Sequence, residues 1–162
     1  MPGREEIVSA FAAVSLKITG QADLKTQKMK VEVCMNLGEY FENSKGLGVL
    51  STADASGRVD SAVYARPHVL NDTEVAFIMA DRLTHANLQQ NPHAAFLFKE
   101  DGPQYAGKRL YLTKIREEKD SPMIEQISRK NYPGIAGKYE GMTKFLVFFK
   151  INAVLPLIGD KE

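Results

Sequence analysis

The chain lacks the features that mark several common classes of protein. A single cysteine, Cys34, excludes an internal disulfide and Cys-rich zinc sites. The 21 lysines and arginines nearly balance the 20 aspartates and glutamates, which gives a net charge of +1. Proteins that bind nucleic acids or membrane surfaces usually carry an excess of basic residues, so this balance argues against both classes. The apolar stretch over residues 7–14 is too short to span a bilayer, which takes about 20 residues. With no basic signal-peptide region at the start, we expect a cytoplasmic protein whose partners include neither nucleic acid nor membrane.

Familiar catalytic signatures are also missing. The sequence contains no GxSxG, HExxH, P-loop or GxGxxG motif. Cys34 lies in a helical pattern without a basic partner to activate its thiol, so a buried structural role is favoured over a nucleophilic one. His68, His85 and His93 do not have the spacing of metal ligands, and no metal site is predicted.

The chain does contain enough apolar residues for one core. Its 162 residues fit a single domain, and 44% hydrophobic with 25% charged residues is ordinary for globular proteins. The first part looks different from the rest, with apolar residues at helical spacing between Ile7 and Ile18. We therefore expect a helical N-terminal extension over residues 1–30 and a domain over 31–162.

Short apolar segments separated by turn residues predict a mainly β domain with few helices. A helix is expected over 31–43 with Gly46 as its end, and Ser121 and Pro122 favour the start of another. Strands are expected over 47–52, 59–69, 74–80, 94–99, 109–116 and 145–151, with helices at 84–90 and 122–130. This spacing favours a small β-barrel or sandwich.

The most informative stretch joins an apolar strand directly to a short helix and reads DRLTHANLQQNP over residues 81–92. Such a junction presents backbone N–H groups and the positive end of a helix. Arg82 adds a bidentate phosphate donor and Thr84 adds a hydroxyl near the helix start. The junction suits a phosphate monoester, although local chemistry alone favours the plainer interpretation, in which Thr84 caps the helix and Arg82 is a solvated charge.

Two segments taken in order resemble a known family. They read LGVLSTADASGRVDSAVY over residues 47–64 and VAFIMADRLTHANLQQNPHAAFLF over 75–98. The combination is similar to the pyridoxamine 5′-phosphate oxidase-like family of FMN-binding split barrels. The likeness runs in order from residue 31 to 116, and the apolar strand at 145–151 fits the closing strand of that family.

The resemblance implies a six-stranded Greek-key split β-barrel with flanking helices, which forms a homodimer with FMN at the subunit interface. Arg82 and Thr84 are the implied phosphate ligands, and the flavin ring lies against two strands. The implied cofactor-binding residues are Arg82, Leu83, Thr84, His85 and Asn87 around the phosphate, and Ser61, Ala62, Val63, Tyr64, Ile78, Met79 and Ala80 around the ring. For Asn87, a structural role in positioning the local turn is favoured at least as much as a contact with the cofactor.

The chain also departs from the family pattern. Many members carry a lysine in the phosphate stretch, where this sequence has Leu83 and His85. Either one phosphate contact is lost, or His85 or a residue of the partner subunit supplies it. Tyr64 and Arg66 are candidates to orient a substrate, although a packing role for Tyr64 is equally favoured. The residues that hold the vitamin substrate in the oxidases have no match around 131–134, and that substrate is not predicted.

Three functions follow from these observations. The first is an FMN-dependent oxidoreductase that transfers hydride or electrons through flavin N5 to or from a small substrate. The sequence shows no acid or base evidently placed for catalysis, which suits a reaction whose chemistry the cofactor carries. The second is a non-catalytic flavoprotein that stores FMN or passes electrons to a redox partner. The third is a barrel that binds haem or a deazaflavin instead.

Overall fold

A computed structural model describes residues 37–131 and 141–159, and the side chains of residues 37–127 and 141–159. The expectations for the extension over 1–30, for Cys34 and for most of the segment 131–141 lie outside the described residues. The helices are α1 Leu37–Asn43, α2 Leu83–Gln90 and α3 Pro122–Asn131. The strands are β1 Gly46–Ala53, β2 Val59–Tyr64, β3 His68–Asn71, β4 Glu74–Ala80, β5 His93–Glu100, β6 Gly107–Lys119 and β7 Lys144–Pro156.

The predicted mainly β class is confirmed, with two differences in detail. The single strand expected over 59–69 is divided into β2 and β3, which raises the strand count in the described residues from six to seven. Pro67 lies in the break, where its fixed φ and missing N–H interrupt strand pairing. Gly46 does not end α1, which stops at Asn43; it opens β1, where a Cβ atom would collide with the carbonyl oxygen of Lys99.

The seven strands form one antiparallel sheet in the order β2-β1-β5-β6-β7-β4-β3. The two edge strands, β2 and β3, follow each other in the chain with only residues 65–67 between them. A three-residue link cannot cross a flat seven-stranded sheet, so the sheet must curl until its edges meet. Tyr64 of β2 lies edge-on to Phe77 of β4 at 6.1 Å between ring centroids, which places the two edges together as a split barrel.

Aromatic side chains fill the interior of the barrel. Phe77 contacts both Phe96 at 5.0 Å and Phe149 at 5.8 Å between ring centroids, and all three are buried. Helix α1 adds Leu37 and Phe41 to the same cluster. On the outside of β4 and β7 a second, smaller cluster lies under α3 and comprises Ala76, Ile124, Leu146 and Phe148. Both faces of β4 and β7 are therefore buried, which makes the end of β4 a rigid base for α2.

Within the described residues, no helix is long and apolar enough to cross a membrane.

Candidate functional site

Two residues, Asp81 and Arg82, separate the end of β4 from the start of α2, so the strand passes directly into the helix, as the sequence predicts. Arg82 occupies the N-cap position in an extended conformation, φ −138° and ψ −171°, and makes no side-chain cap hydrogen bond. Its carbonyl accepts the first helical bond from the Ala86 N–H at 2.9 Å. Thr84 lies inside the helix and is not its cap, contrary to the plainer interpretation. The first backbone N–H groups of α2 thus point out of the helix with no acceptor from the N-cap side chain, as at anion-binding helix ends.

Four polar side chains converge on this helix start from two elements. The buried Thr84 hydroxyl lies close enough to Tyr64 of β2 to act on its phenol, and the charges of Asp60 and Arg82 act on that phenol as well. Burial raises the pKa of Tyr64 above its ordinary value and Asp60 adds to the rise, while Thr84 and Arg82 oppose it. The fold therefore brings together the predicted phosphate residues and one predicted ring residue.

The other predicted residues of β2 divide between the two faces of the strand. Ala62 and Tyr64 are half-buried, whereas Ser61 and Val63 point to the outer surface. The Ser61 hydroxyl lies 2.8 Å from that of Ser51 on β1. Only alternate side chains of this stretch can thus face the same ligand, and β2 is an edge strand of the sheet that residues 46–119 and 144–156 form.

The predicted residues at the end of β4 are mostly used in packing. Met79 is buried in the barrel core, and Ile78 packs on the cluster beneath α3. Ala80 is half-buried at the last position of the strand, and Leu83 is half-exposed at the first position of α2. A ligand at this end of β4 could therefore contact the backbone and the side chains of Ala80 and Leu83, because those of Ile78 and Met79 are used in packing.

His85 faces the barrel side of α2 and has partners at both ring nitrogens. Nδ1 lies 3.2 Å from Asp81 Oδ1 and Nε2 lies 3.2 Å from Glu117 Oε2 of β6. The ring stacks on Phe145 of β7 with centroids 3.8 Å apart and an angle of 16° between the planes. The imidazole is thus directed to β6 and β7 and is not the basic replacement at the phosphate that the resemblance allows.

Asn87 and Arg66 have structural partners. The buried Asn87 amide donates to the Thr52 hydroxyl of β1 at 3.1 Å, which supports its interpretation as a positioning residue. The Arg66 guanidinium donates to the carbonyl of Phe41 and to that of Ser44 at 2.7 Å, so it ties the end of α1 to the link between β2 and β3. A side chain held in this way is not available to orient a substrate without losing those bonds.

Three carboxylates near α2 were not among the predicted site residues. Asp60 acts on Tyr64, Asp81 directly precedes Arg82 and lies 3.2 Å from His85 Nδ1, and Glu117 bonds to His85. Burial raises the pKa of Glu117, but hydrogen bonds from Lys114 and Gln89 outweigh it and hold that pKa below the ordinary value. The i, i+4 spacing of Asp81 and His85 is visible in the sequence, whereas nothing local links Glu117 to α2. Within the described ranges, no three His, Cys, Asp or Glu side chains are arranged to hold a metal.

Comparison with known proteins shows the fold. No family model and no curated protein matches the sequence. An FMN-binding protein from Syntrophomonas wolfei superposes with a TM-score of 0.69 at 19% identity, over 88% of this chain and 98% of that chain. A candidate pyridoxamine 5′-phosphate oxidase from Lactobacillus delbrueckii gives 0.53 at 19%, over 74% and 90%. The heme storage protein HutZ from Vibrio cholerae gives 0.51 at 22%, over 73% and 89%. The chain therefore has the split-barrel fold, as predicted.

Proposed function

We propose that this chain binds FMN and acts as an FMN-dependent oxidoreductase on a small substrate. The observation that carries the proposal is the convergence of Arg82, Thr84 and Tyr64 at the start of α2, beside β2 at the edge of the described sheet. The same fold occurs in a protein described as FMN-binding, and in this chain the cluster occupies the stretch that resembles the FMN-binding family.

The residues at the helix start fit one phosphate group. Arg82 is exposed and offers a charge-assisted bidentate bond, while the Thr84 hydroxyl and the first N–H groups of α2 offer neutral donors. Asp60 and Asp81 lie close by and limit the positive potential of the site. A single phosphate monoester, such as that of FMN, is therefore a better match than a polyphosphate, which would need several cations.

We further propose that two copies of the chain form the complete site. The outer face of β2, β1 and β5 carries Val63, Val49 and Leu97 as direct cross-strand neighbours. Val63 is 72% exposed and Leu97 is 39% exposed. The row beside it, Ser61, Ser51 and Ala95, consists of small residues, so this face is flat and carries few charges. A second copy would bury this outer face and cover a cofactor bound near the edge strand.

When bound, FMN would supply hydride or electron transfer at N5, and the protein would supply binding and orientation. Among the described strands β2 pairs only with β1, so its backbone groups near Tyr64 would offer donors to the polar rim of a planar ring. Tyr64 lies near Thr84, so the phenol would connect the phosphate residues to the strand that would lie against the ring.

The first experiment is to purify the protein and release its cofactor for mass spectrometry and absorbance. FMN with flavin bands supports the proposal, and a Soret band or a deazaflavin spectrum contradicts it. Rapid reduction of the bound flavin by NADH or NADPH, followed by turnover with an electron acceptor, supports the enzyme. Bound FMN that no donor reduces supports a carrier that stores FMN or serves a protein redox partner.

The phosphate assignment is tested by the double variant Arg82→Ala/Thr84→Ala. Charge-assisted hydrogen bonds contribute about 1.5–3 kcal/mol each, so FMN affinity should fall by at least about 100-fold in fluorescence titration. The matched control is Arg58→Ala, which removes an exposed arginine from the β1–β2 turn and should leave affinity unchanged. Equal FMN affinity in the double variant and in the parent would refute the assignment.

A further inference from the structure

Two different kinds of hydrogen-bond partner lie beside one ring nitrogen of His85, between α2 and β6. Gln89 Nε2, which can only donate, lies 2.9 Å from His85 Nε2, and the carboxylate oxygen Oε2 of Glu117, which can only accept, lies 3.2 Å from the same nitrogen. An unprotonated Nε2 has a lone pair that suits Gln89, whereas a protonated Nε2 has a hydrogen that suits Glu117. The fold therefore provides a partner for either protonation state of this nitrogen.

The other ring nitrogen, Nδ1, is restricted to one state. It lies 3.2 Å from Asp81 Oδ1, so a hydrogen on Nδ1 bonds to that carboxylate, whereas a lone pair there would be repelled by it. A neutral imidazole has one N–H group, and Asp81 favours its placement at Nδ1. The proton that His85 can gain or lose is consequently the one at Nε2.

The amide of Gln89 keeps its acceptors when Nε2 gains a proton. Its nitrogen lies 3.0 Å from Glu117 Oε2 and 3.4 Å from the His85 carbonyl oxygen. An amide oxygen in this place would be repelled by Glu117 Oε2, so Glu117 fixes the orientation of the amide. With Nε2 protonated, Gln89 can donate to these two oxygens while His85 donates to Glu117. The partners of both states thus already lie within hydrogen-bond distance.

The charged groups around the ring suit a second cation. Asp81 from the β4–α2 link and Glu117 from β6 contribute two carboxylates, and Lys114 of β6, whose Nζ lies 2.6 Å from Glu117, contributes one positive charge. Strand β7 contributes the uncharged ring of Phe145, which stacks on His85 with 3.8 Å between the centroids and would attract a cation at its face. These groups oppose the cost of placing a charge on a side chain that is 8% exposed.

We propose that His85, Gln89 and Glu117 form a proton-dependent switch between α2 and β6. With Nε2 unprotonated, His85 accepts a bond from Gln89 within α2. When Nε2 takes up a proton from the solvent, His85 donates across to Glu117 of β6. A change of pH thus exchanges a bond within the helix for an ionic bond between the helix and the barrel. The switch goes beyond the proposed function and operates without FMN.

Nitrogen NMR of isotope-labelled histidine rings tests the switch in the intact protein. At the alkaline end of a pH titration, His85 should have its hydrogen on Nδ1 and a lone pair on Nε2. On acidification Nε2 should become protonated while Nδ1 stays protonated, and the side-chain amide signals of Gln89 should shift at the same pH midpoint. A hydrogen on Nε2 at alkaline pH, or no protonation of Nε2 before the protein unfolds, would overturn the proposal.

Two substitutions should change the proton affinity of His85 in opposite directions. Gln89→Met removes the donor that suits the unprotonated form, so the affinity should rise about threefold, the scale of one neutral hydrogen bond. Glu117→Gln removes the charge that suits the protonated form, so the affinity should fall about tenfold. The matched control is Glu118→Gln, the next residue of β6, whose carboxylate bonds to Ser121; it should stay within about twofold of the parent. Shifts of Gln89→Met and Glu117→Gln in the same direction, or no shift in either, would overturn the proposal, because packing alone does not produce opposite shifts.

Discussion

At the scale of single residues, His68 shows how burial acts on a titratable group. It opens β3, directly after the Pro67 that separates β3 from β2, and it lies partly beneath the surface. Burial is the main cause and the nearby charge of Arg66 the second, and together they lower the pKa of His68 from 6.5 to about 4. The native state therefore keeps this imidazole neutral at pH values where the unfolded chain would bind a proton.

Protein stability should consequently fall as the pH drops from about 6.5 towards 4. Between these values the unfolded state binds the proton and the native state does not, so the free energy of unfolding decreases by about 2–3 kcal/mol and then levels off. Urea unfolding at pH 7, 5.5 and 4 measures the effect. His68→Gln has no titratable group at this position and should show a smaller decrease, because the carboxylates contribute equally in both proteins. Identical pH profiles for the two proteins would contradict the pKa assigned to His68.

Residues that act within one junction could be predicted from the sequence, while residues whose partners are distant in the chain could not. Arg82 and Thr84 lie where a strand passes directly into a helix, and the structure places them together. Arg66 was a candidate for substrate binding because it follows the β2 motif, yet its acceptors are carbonyl groups at the end of α1. The imidazole of His85 lies 3.2 Å from the Glu117 carboxylate of β6, and the pairing of β6 with β7 is what brings that distant residue near α2.

At the scale of elements, β1 is held tightly between β2 and β5. Gly48 is buried in the middle of this contact, and an added Cβ atom would lie 2.6 Å from the Tyr64 carbonyl oxygen and 2.7 Å from Phe96 Cζ. Both distances are shorter than van der Waals contact, and the carbonyl belongs to the neighbouring strand. The close approach of β1 to β2 and to the aromatic core thus depends on a residue without a side chain.

Gly48→Ala should therefore destabilise the fold by about 1–3 kcal/mol, the usual range for forcing extra atoms into a packed region. Gly38→Ala is the matched control, since the nearest atom to its added Cβ is Val69 Cγ1 at 3.9 Å. Because Gly38 lies in α1, where alanine is preferred, this control should be neutral or stabilising by up to about 1 kcal/mol. Chemical denaturation of both variants gives the comparison. Equal stability of the two variants would show that β1 moves freely to accommodate the methyl group.

The extents of the strands follow the apolar pattern only in part. The sequence places β4 over the residues that the structure shows, because six of its seven residues are apolar and all seven are buried or half-buried. Strand β6 runs beyond the expected end at Arg116 to Lys119, through charged residues that carry no strand signal of their own. Its last residues pair with Leu146 and Phe145 of β7, so backbone hydrogen bonds from a distant segment extend the strand.

At the scale of the whole molecule, the curled sheet has an interior filled by its own side chains. Phe77, Phe96 and Phe149 meet at its centre, which leaves the edge of the barrel and its outer face as places for a large ligand. The edge next to α2 carries the candidate phosphate residues, and the outer face of β2, β1 and β5 carries exposed apolar residues. These two surfaces share β2, which explains physically why a cofactor site and a subunit interface would coincide in a barrel of this size.

The last prediction tests that coincidence. Leu97→Asp places a charge at one end of the exposed apolar row, where Leu97 is the cross-strand neighbour of Val49. If two copies associate through this face, sedimentation velocity should show a dimer for the parent and a monomer for the variant, because burying an unpaired carboxylate is costly. FMN affinity should fall in parallel, since each site would lose the chain that covers it. The matched control is Met123→Asp on α3, as Met123 and Leu97 are both 39% exposed; it should remain dimeric and bind FMN normally. A parent protein that sediments as a monomer, or a Leu97→Asp variant that stays dimeric, would show that this face is not the interface.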